Sequence, residues 1–242
     1  MRENRRLICA IHQPNFFPWL GYFDKIARAD VFLLMDNVQY PKKSGTWINR
    51  VRLLSGGSPY WATAPLDRKF HGTRLIQDSL FSLDDTAWRA RLRRSIEMQY
   101  AKAAHFAEVF PIIDELLMFE ADNIAEYNIN AITGLCSLLG LDVGKLRRGS
   151  SLQVDGNATS LLIQMCQAVD ANAYLCGGGA SGYQEDDAFR EAGIELLYQN
   201  FEHPVYAQGK VAPFQSGLST IDALMHCGIA DVREMLGAEC RQ

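Results

Sequence analysis

The sequence predicts an α/β protein with a mainly parallel, Rossmann-like sheet, a β-hairpin and a helical insertion. Three observations predict this fold class. A strand, a helix and a second apolar strand follow one another within the first 35 residues, the stretch 46–64 has a hairpin pattern, and the stretch 84–140 is helical. The last hundred residues return to alternating helices and strands, which favours a parallel sheet.

The N-terminal segment has the pattern of a βαβ unit. Residues 6–11 (RLICAI) form a short apolar strand, and residues 31–35 (VFLLM) form a buried strand that ends at Asp36. Between them, the stretch 19–29 has the spacing of an amphipathic helix, with apolar side chains at Leu20, Phe23, Ile26 and Ala27. Two strands joined by one helix in so short a segment pair in parallel through a right-handed crossover.

The middle of the chain predicts a hairpin and then helices. The stretches 46–54 and 59–64 are rich in Trp, Ile, Val and Tyr and are separated by SGGS. A helix is expected to begin near SLDDTAW, Pro111 is expected to begin a second helix, and residues 120–139 are expected to form a third that ends at Gly140. We therefore predict one domain over residues 1–242, with a mainly helical subdomain at about 84–140.

The C-terminal hundred residues predict alternation. The expected elements are a strand near 143–148, a helix at 157–169, a strand at 172–176, a helix at 185–192, a strand at 194–198 and, capped by Ser219, a helix that reaches His226. A Gly-rich loop (GGGASGY) follows the strand at 172–176, and a long loop follows His203 and Pro204.

Composition excludes several classes of protein. With 48% apolar and 21% charged residues, the chain is neither disordered nor fibrous. Its 24 basic and 28 acidic residues give a net charge of −4, so general nucleic-acid binding is not expected. The six cysteines form no CxxC pair, and no segment resembles a signal peptide or a membrane span. We expect a soluble, cytoplasmic protein without disulfides that does not bind membranes; the sequence does not specify its oligomeric state.

Two polar loops follow the first two predicted strands. The first holds His12, Gln13 and Asn15, and its two prolines, at 14 and 18, stiffen it. Parallel strands end at one edge of a sheet, where ligands bind, so Asp36 is expected close enough to His12 to orient its imidazole. The second loop adds candidate binding residues, of which Asn49 and Arg50 suit a carboxylate or phosphate: Gln39, Tyr40, Lys43, Asn49 and Arg50. A solvated basic turn, with Asp36 as a cap, is the alternative.

Two further loops hold candidate residues. In the Gly-rich loop, Gly178, Ser181 and Tyr183 could contact a ligand through an anion nest, although neither GxGxxG nor a P-loop is present. Cys176 and Ser181 are conceivable nucleophiles, with a buried thiol favoured for Cys176. Near the C-terminus, His203 is a third catalytic candidate, and Tyr206 and Asp222 are candidate binding residues. Asp222 and His226 share a helix face, but no HExxH pattern accompanies them, so no metal site is predicted.

The chain resembles the WbqC-like family over nearly its whole length. The resemblance is carried in collinear order by IHQPNFFPWLGYFDKIARADVFLLMDNVQY at 11–40, W-x-N-R at 47–50, the Gly-rich stretch at 174–183, HPVY at 203–206 and LSTIDALMHCG at 218–228. One departure is Cys176, where we would expect a serine or a similar small residue. The family occurs in gene clusters for O-antigen, other surface polysaccharides and some natural products, where some sugars carry an aminoacyl group on their amine.

The resemblance implies transfer of an acyl or aminoacyl group to an amine, such as that of a nucleotide-linked amino sugar. No resident cofactor is expected. The co-substrate would be an activated acyl donor: an acyl-thioester, an acyl-adenylate or an aminoacyl-tRNA. From residue chemistry, His12 would act as base with Asp36 as its orienter, Gln13, Asn15 and the Gly-rich loop would donate to the oxyanion, and Lys43 and Arg50 would hold the donor.

Two other functions stay open. A nucleotidyltransferase has a similar strand–loop–helix unit, but the histidines of its HxGH motif are replaced by Pro18 or Trp19 and by Tyr22. A non-catalytic ligand-binding component of a biosynthetic complex would also explain four tryptophans and nine tyrosines, several of them in polar loops.

Overall fold

The computed structural model describes residues 5–41, 46–69, 72–177, 186–210 and 213–237. Over these residues the strands are β1 (Ile8–His12), β2 (Val31–Leu34), β3 (Arg50–Ser55), β4 (Ser58–Thr63), β5 (Leu146–Arg148), β6 (Ala173–Cys176) and β7 (Glu195–Tyr198). The α-helices are α1 (Leu20–Arg28), α2 (Trp88–Tyr100), α3 (Phe106–Met118), α4 (Ile124–Leu138), α5 (Ala158–Gln167), α6 (Asp186–Glu191) and α7 (Thr220–Met235). The α/β class, the parallel sheet and the hairpin are confirmed.

A five-stranded sheet lies at the centre of the fold, in the order β5-β2-β1-β6-β7. Every neighbouring pair in it is parallel. After β1 the chain moves outward through β2 and β5, and it then returns to the other side of β1 to add β6 and β7. The strand order therefore reverses between β1 and β6, and in open α/β sheets a crevice for ligands forms at such a point, beyond the carboxyl ends of the strands.

The three central strands β2, β1 and β6 are buried on both faces, which explains their continuous apolar sequences. Alternate residues of β1 belong to opposite cores, since Ala10 packs in one and Cys9 and Ile11 in the other. The first core contains α1, the hairpin, α2 to α4 and α7, and the second contains α5 and α6. The helical segment thus shares a continuous core with one face of the sheet.

Helix α3 begins earlier than the sequence predicts. We expected Pro111 to begin it, because proline suits the first turn of a helix. In the structure α3 begins at Phe106, and Pro111 lies inside it. Val109, Phe110 and Ile113 are buried, and the rings of Phe106 and Phe110 stack with centroids 4.7 Å apart. Burial of this apolar face therefore stabilises the helix by more than is lost with the backbone hydrogen bond that Pro111 cannot donate.

Helix α7 begins where predicted and continues past His226. The Ser219 hydroxyl accepts a hydrogen bond from the Ile221 amide (3.3 Å) and so caps the first turn. Gly228, at φ 82° and ψ 173°, interrupts the helical backbone, after which the chain resumes a helix that ends at Met235. A Cβ on Gly228 would lie 2.5 Å from His105 Nδ1, so the break needs glycine for both its dihedral angle and its packing.

Candidate functional site

A pocket of about 660 Å³ opens at the point where the strand order reverses. It is bordered by the end of β1, the residue after β6, the residues after β7, the N-terminal half of α1, and parts of the hairpin and of the loop before α7. Its described lining residues are His12, Trp19, Gly21, Tyr22, Lys25, Trp47, Arg52, Gly177, Gln199, Asn200, Phe201, His203, Ser216 and Gly217. This volume is typical of sites for small-molecule ligands.

His12 is the last residue of β1, and its imidazole is held in one orientation. Nδ1 lies 3.0 Å from the Gln13 carbonyl oxygen, which also accepts a hydrogen bond from the Tyr22 hydroxyl (3.1 Å). The ring meets Trp19 and Tyr22 edge to face. Because a carbonyl can only accept, Nδ1 carries the proton, and Nε2 keeps a lone pair that has no partner among the described residues.

The surroundings of His12 favour the neutral imidazole. Removal from water, and then the positive charge of Lys25, lower the pKa of His12 to about 3, although the hydrogen bond with Gln13 acts in the opposite direction. The ring is therefore neutral at physiological pH. A neutral histidine with a fixed tautomer and a free Nε2 is equipped to accept a proton.

Lys25 is a buried ammonium beside this histidine. It lies on α1, three residues after Tyr22, and only 3% of it is exposed. Nζ donates a hydrogen bond to the Ile11 carbonyl (3.0 Å) and lies 5.9 Å from the centre of the Tyr174 ring. Burial lowers the pKa of Lys25 to about 8, although the nearby thiols of Cys176 and Cys9 act in the opposite direction.

Arg52 and His203 join the hairpin to the loop before α7. Arg52 Nη1 donates to the Ser216 carbonyl (3.2 Å), and the Ser219 amide donates to the Arg52 carbonyl (2.9 Å). Nε2 of His203 accepts a hydrogen bond from the Gly217 amide (3.0 Å), so a neutral His203 carries its proton on Nδ1. Burial lowers the pKa of His203. Both side chains line the pocket, and a catalytic role for His203 stays a prediction.

Gln199 has its amide fixed by two acceptors. Nε2 donates to the Gly21 carbonyl (2.6 Å) and to Asp24 Oδ2 (2.8 Å). This use of both N–H groups sets the orientation of the amide, and Oε1 has no partner among the described residues. Because Gln199 lines the pocket, its Oε1 is available to accept a hydrogen bond from a ligand N–H or O–H group.

Aromatic side chains form one wall of the pocket. The ring centroids of Trp19 and Trp47 are 4.8 Å apart, and those of Trp47 and Trp61 are 4.9 Å apart. Gly21 allows the close approach of Trp19 and Phe201, since a Cβ there would lie 2.8 Å from Phe201 Cδ1 and 2.9 Å from Trp19 Nε1. Flat apolar rings beside polar groups suit a ligand with a sugar or heterocyclic ring.

The structure gives Asp36 a different partner from the one predicted. Its carboxylate accepts hydrogen bonds from the Ser150 amide (2.8 Å) and the Ser150 hydroxyl (2.9 Å), and Arg148 Nε lies 3.8 Å from Oδ2. Asp36 follows β2 on the side toward β5, whereas the pocket lies on the side of β1 toward β6. The group that orients His12 is therefore the Gln13 carbonyl, and a role for Asp36 in turnover stays a prediction.

The predicted residues of the second loop lie together beside the hairpin. Asn49 donates to the Ala64 carbonyl (2.9 Å) and accepts from the Tyr40 hydroxyl (2.9 Å), so its amide links two loops. The guanidinium of Arg50 lies 4.1 Å from the centre of the Trp61 ring. Gln39 forms an isolated bridge with Leu75. These four residues are outside the described pocket lining, and Arg52, two residues along β3 from Arg50, lines it instead.

Tyr206 and Asp222 belong to a polar cluster that is not part of the described pocket lining. The carboxylate of Asp222 is fully buried and accepts hydrogen bonds from Tyr100 (2.9 Å), Tyr206 (2.8 Å) and Gln208 (3.0 Å). Burial and the neighbouring carboxylate raise the pKa of Tyr206. The cluster fastens the loop that contains His203 to α7, and so it supports the pocket wall.

The remaining predicted residues divide into three groups. Gln13 contacts His12 through its backbone carbonyl. Asn15 is buried, and its Nδ2 has no hydrogen-bond partner among the described residues. Cys176 is buried, and its thiol donates to the Leu197 carbonyl (3.3 Å). Lys43, Gly178, Ser181 and Tyr183 lie outside the described residues.

Comparison with known proteins assigns the family. The model of the WbqC-like protein family matches residues 13–234. The chain belongs to the WbqC-like family. It is similar to the uncharacterized protein Rv1507c of Mycobacterium tuberculosis, with 31% identity over 236 residues that cover 96% of this chain and 98% of that protein. No solved structure matches this WbqC-like chain at a significant level.

Neither a membrane-spanning helix nor a cluster of metal-ligating side chains is present among the described residues of this WbqC-like chain. None of their helices has the length and apolar character needed to cross a membrane. Nor do the described residues contain a group of three or more His, Cys, Asp or Glu side chains placed to hold a metal ion.

Proposed function

We propose that this WbqC-like protein is an N-acyltransferase that moves an acyl or aminoacyl group from an activated donor to an amine. The amine of a nucleotide-linked amino sugar, in the biosynthesis of a surface polysaccharide or natural product, is the acceptor that the family membership favours. The observation that carries the proposal is His12, a neutral imidazole with a fixed tautomer and a free Nε2, at the pocket where the strand order reverses.

The proposed reaction uses His12 as the proton carrier. The acceptor nitrogen attacks the donor carbonyl carbon, and a C–N bond forms as the carbonyl becomes a tetrahedral oxyanion. Bond formation leaves that nitrogen positively charged and far more acidic than a free alkylammonium group, and His12 Nε2 takes its proton. The bond from carbon to the leaving group then breaks, the carbonyl re-forms, and the proton on His12 passes to the leaving group.

Neighbouring groups support this assignment. The Lys25 ammonium lies close enough to affect the pKa of His12, and a positive charge in a desolvated pocket stabilises a developing oxyanion. The free Oε1 of Gln199 would accept a hydrogen bond from an N–H of the acceptor amine. This hydrogen bond would align the amine nitrogen for attack. With these roles the pocket positions both reactants without a covalent intermediate on the enzyme.

The proposal is tested by incubating the full chain with an amino-sugar nucleotide and each donor class in turn, followed by mass spectrometry of the acceptor. The expected product carries the mass of the acyl group. His12→Asn is expected to slow its formation by about 10²–10⁴-fold with donor binding retained. His105→Asn is the matched control, because His105 lies outside the described pocket lining and its side chain is 38% exposed.

Three results would contradict the proposal. A product heavier by a nucleoside monophosphate would indicate nucleotidyl transfer. Binding of the amino-sugar nucleotide without product from any donor would indicate a non-catalytic binding component, which the aromatic wall would also suit. A wild-type rate in His12→Asn would remove His12 from the chemistry.

A further inference from the structure

We propose that the pocket binds its ligand through a phosphate or diphosphate group with at least two negative charges, held between Lys25 and Arg52. Both side chains line the pocket, one from α1 and one from the hairpin. Neither residue was a candidate from the sequence, which assigned anion binding to Lys43 and Arg50. The inference deepens the proposed function, since it rests on the same pocket and names the charge of the substrate.

The Lys25 ammonium is buried with most of its hydrogen-bonding capacity unused. An ammonium has three N–H donors, and among the described residues only the Ile11 carbonyl accepts from it. Burial of a cation without a counter-ion is costly, as its lowered pKa shows. An anion in the pocket would accept the remaining N–H groups and remove this cost.

The charges of the described lining residues are unbalanced. Lys25 and Arg52 are cations, and the described lining includes no Asp or Glu. The nearby carboxylate of Asp24 is engaged by Arg28 and by Gln199 Nε2. Two cations without a described carboxylate between them are better neutralised by a group with two negative charges than by a group with one. This favours a phosphate group over a single carboxylate.

Helix α1 adds to the positive potential at the same place. Its N-cap residue, Trp19, gives no side-chain hydrogen bond to the first turn, and Gly21 and Tyr22 of that turn line the pocket. The Tyr22 amide donates to the Trp19 carbonyl (2.9 Å), so the contribution of α1 is the positive end of its helix dipole, which favours an anion. The indole rings of Trp19 and Trp47 would then lie beside the organic part of the ligand.

The test is isothermal titration of the full chain with inorganic pyrophosphate, and with malonate as a dicarboxylate. Pyrophosphate is expected to bind saturably and more tightly than malonate. Lys25→Met and Arg52→Gln are each expected to weaken its binding by about tenfold or more. Arg91→Gln, an exposed arginine paired with Asp85, is the matched control and is expected to bind like the wild type. Thermal unfolding of each variant shows that it is folded; Lys25→Met removes a buried charge and is expected to stay folded.

The inference is overturned if pyrophosphate shows no saturation below about 5 mM, or if both pocket variants bind it as tightly as Arg91→Gln does. Tighter binding of malonate would also overturn it, by identifying a carboxylate site. These measurements need no turnover. Binding of pyrophosphate without formation of an acylated product would support this inference and contradict the proposed function. Formation of the acylated product without binding of pyrophosphate would support the proposed function and contradict this inference.

Discussion

His12 and Lys25 are neighbouring titratable groups that the fold removes from water. Burial acts on both in the same sense, because it disfavours the charged form of each and lowers its pKa, and the charge of Lys25 adds to the effect on His12. The protein thereby keeps a neutral imidazole and a buried lysine of lowered pKa side by side. Such a pair is costly for stability, and clusters of this kind are found at functional sites.

The pKa of His12 predicts how stability changes with pH. Its folded value of about 3 lies below its ordinary value of 6.5, so between these pH values the unfolded chain binds a proton that the folded chain does not. The stability that His12 contributes is present above 6.5 and is lost as the pH falls. From about pH 7 to about pH 5 the loss from His12 alone is about 2 kcal/mol.

Urea unfolding of the wild type and His12→Asn at both pH values measures this contribution. The variant is expected to lose about 2 kcal/mol less than the wild type on acidification, because asparagine does not titrate. His105→Asn retains His12 and should follow the wild type. Identical pH dependence in the wild type and His12→Asn would contradict the lowered pKa of the imidazole.

The sequence predicts some residues of the site and misses others for a physical reason. His12 is found because it follows an apolar strand, where parallel topology directs ligands. Lys25 is missed because one lysine among apolar helix residues looks like a solvated side chain, and its burial depends on the contact with Ile11 in β1. Gln199 and Arg52 are missed because their roles come from partners distant in the chain, Gly21 and Ser216.

At the scale of elements, α7 and the first loop are joined by Ser219. Its hydroxyl donates to the Phe17 carbonyl (2.7 Å) and accepts from the Ile221 amide, and the residue is 1% exposed. The Thr220 amide also donates to the Pro18 carbonyl (2.9 Å). These bonds hold the loop that leads into α1 against the C-terminal helix, and the wall of the pocket depends on both.

Ser219→Ala removes a helix cap and leaves a buried carbonyl without its donor. We expect the free energy of unfolding to fall by about 2–3 kcal/mol, measured by chemical denaturation. Ser137→Ala is the matched control, because Ser137 is exposed and its hydroxyl bonds only within α4; it should change stability by less than about 0.5 kcal/mol. Equal effects of the two substitutions would show that the Ser219 contacts contribute nothing specific.

The boundaries of the elements follow the sequence pattern where local chemistry decides them. Ser219 was predicted to cap α7, and it does. The apolar run after Asp30 was predicted to form a buried strand, and it forms β2. Prediction fails at Pro111, where the local preference for a helix start yields to burial of neighbouring apolar side chains against other helices. That burial depends on tertiary contacts that no local pattern contains.

At the scale of the whole molecule, the order of the strands decides where the site is. The sequence predicts that β1 and β2 are parallel, and this is confirmed. It does not specify that β6 pairs with β1, because Cys9 and its partner Tyr174 are far apart in the chain. That pairing creates the reversal of strand order, and it brings Gly177 and the residues after β7 to the pocket that contains His12.

The ligand is expected to bind at this reversal of strand order between β1 and β6. Hydrogen–deuterium exchange of the full chain, with and without inorganic pyrophosphate, tests that claim most directly. We predict slower exchange in the loop 13–19, in the first turn of α1 and in residues 199–217, with no change in α3 and α4. Slower exchange confined to α2–α4 or to the Asp36–Ser150 side of the sheet, or no change anywhere, would contradict it.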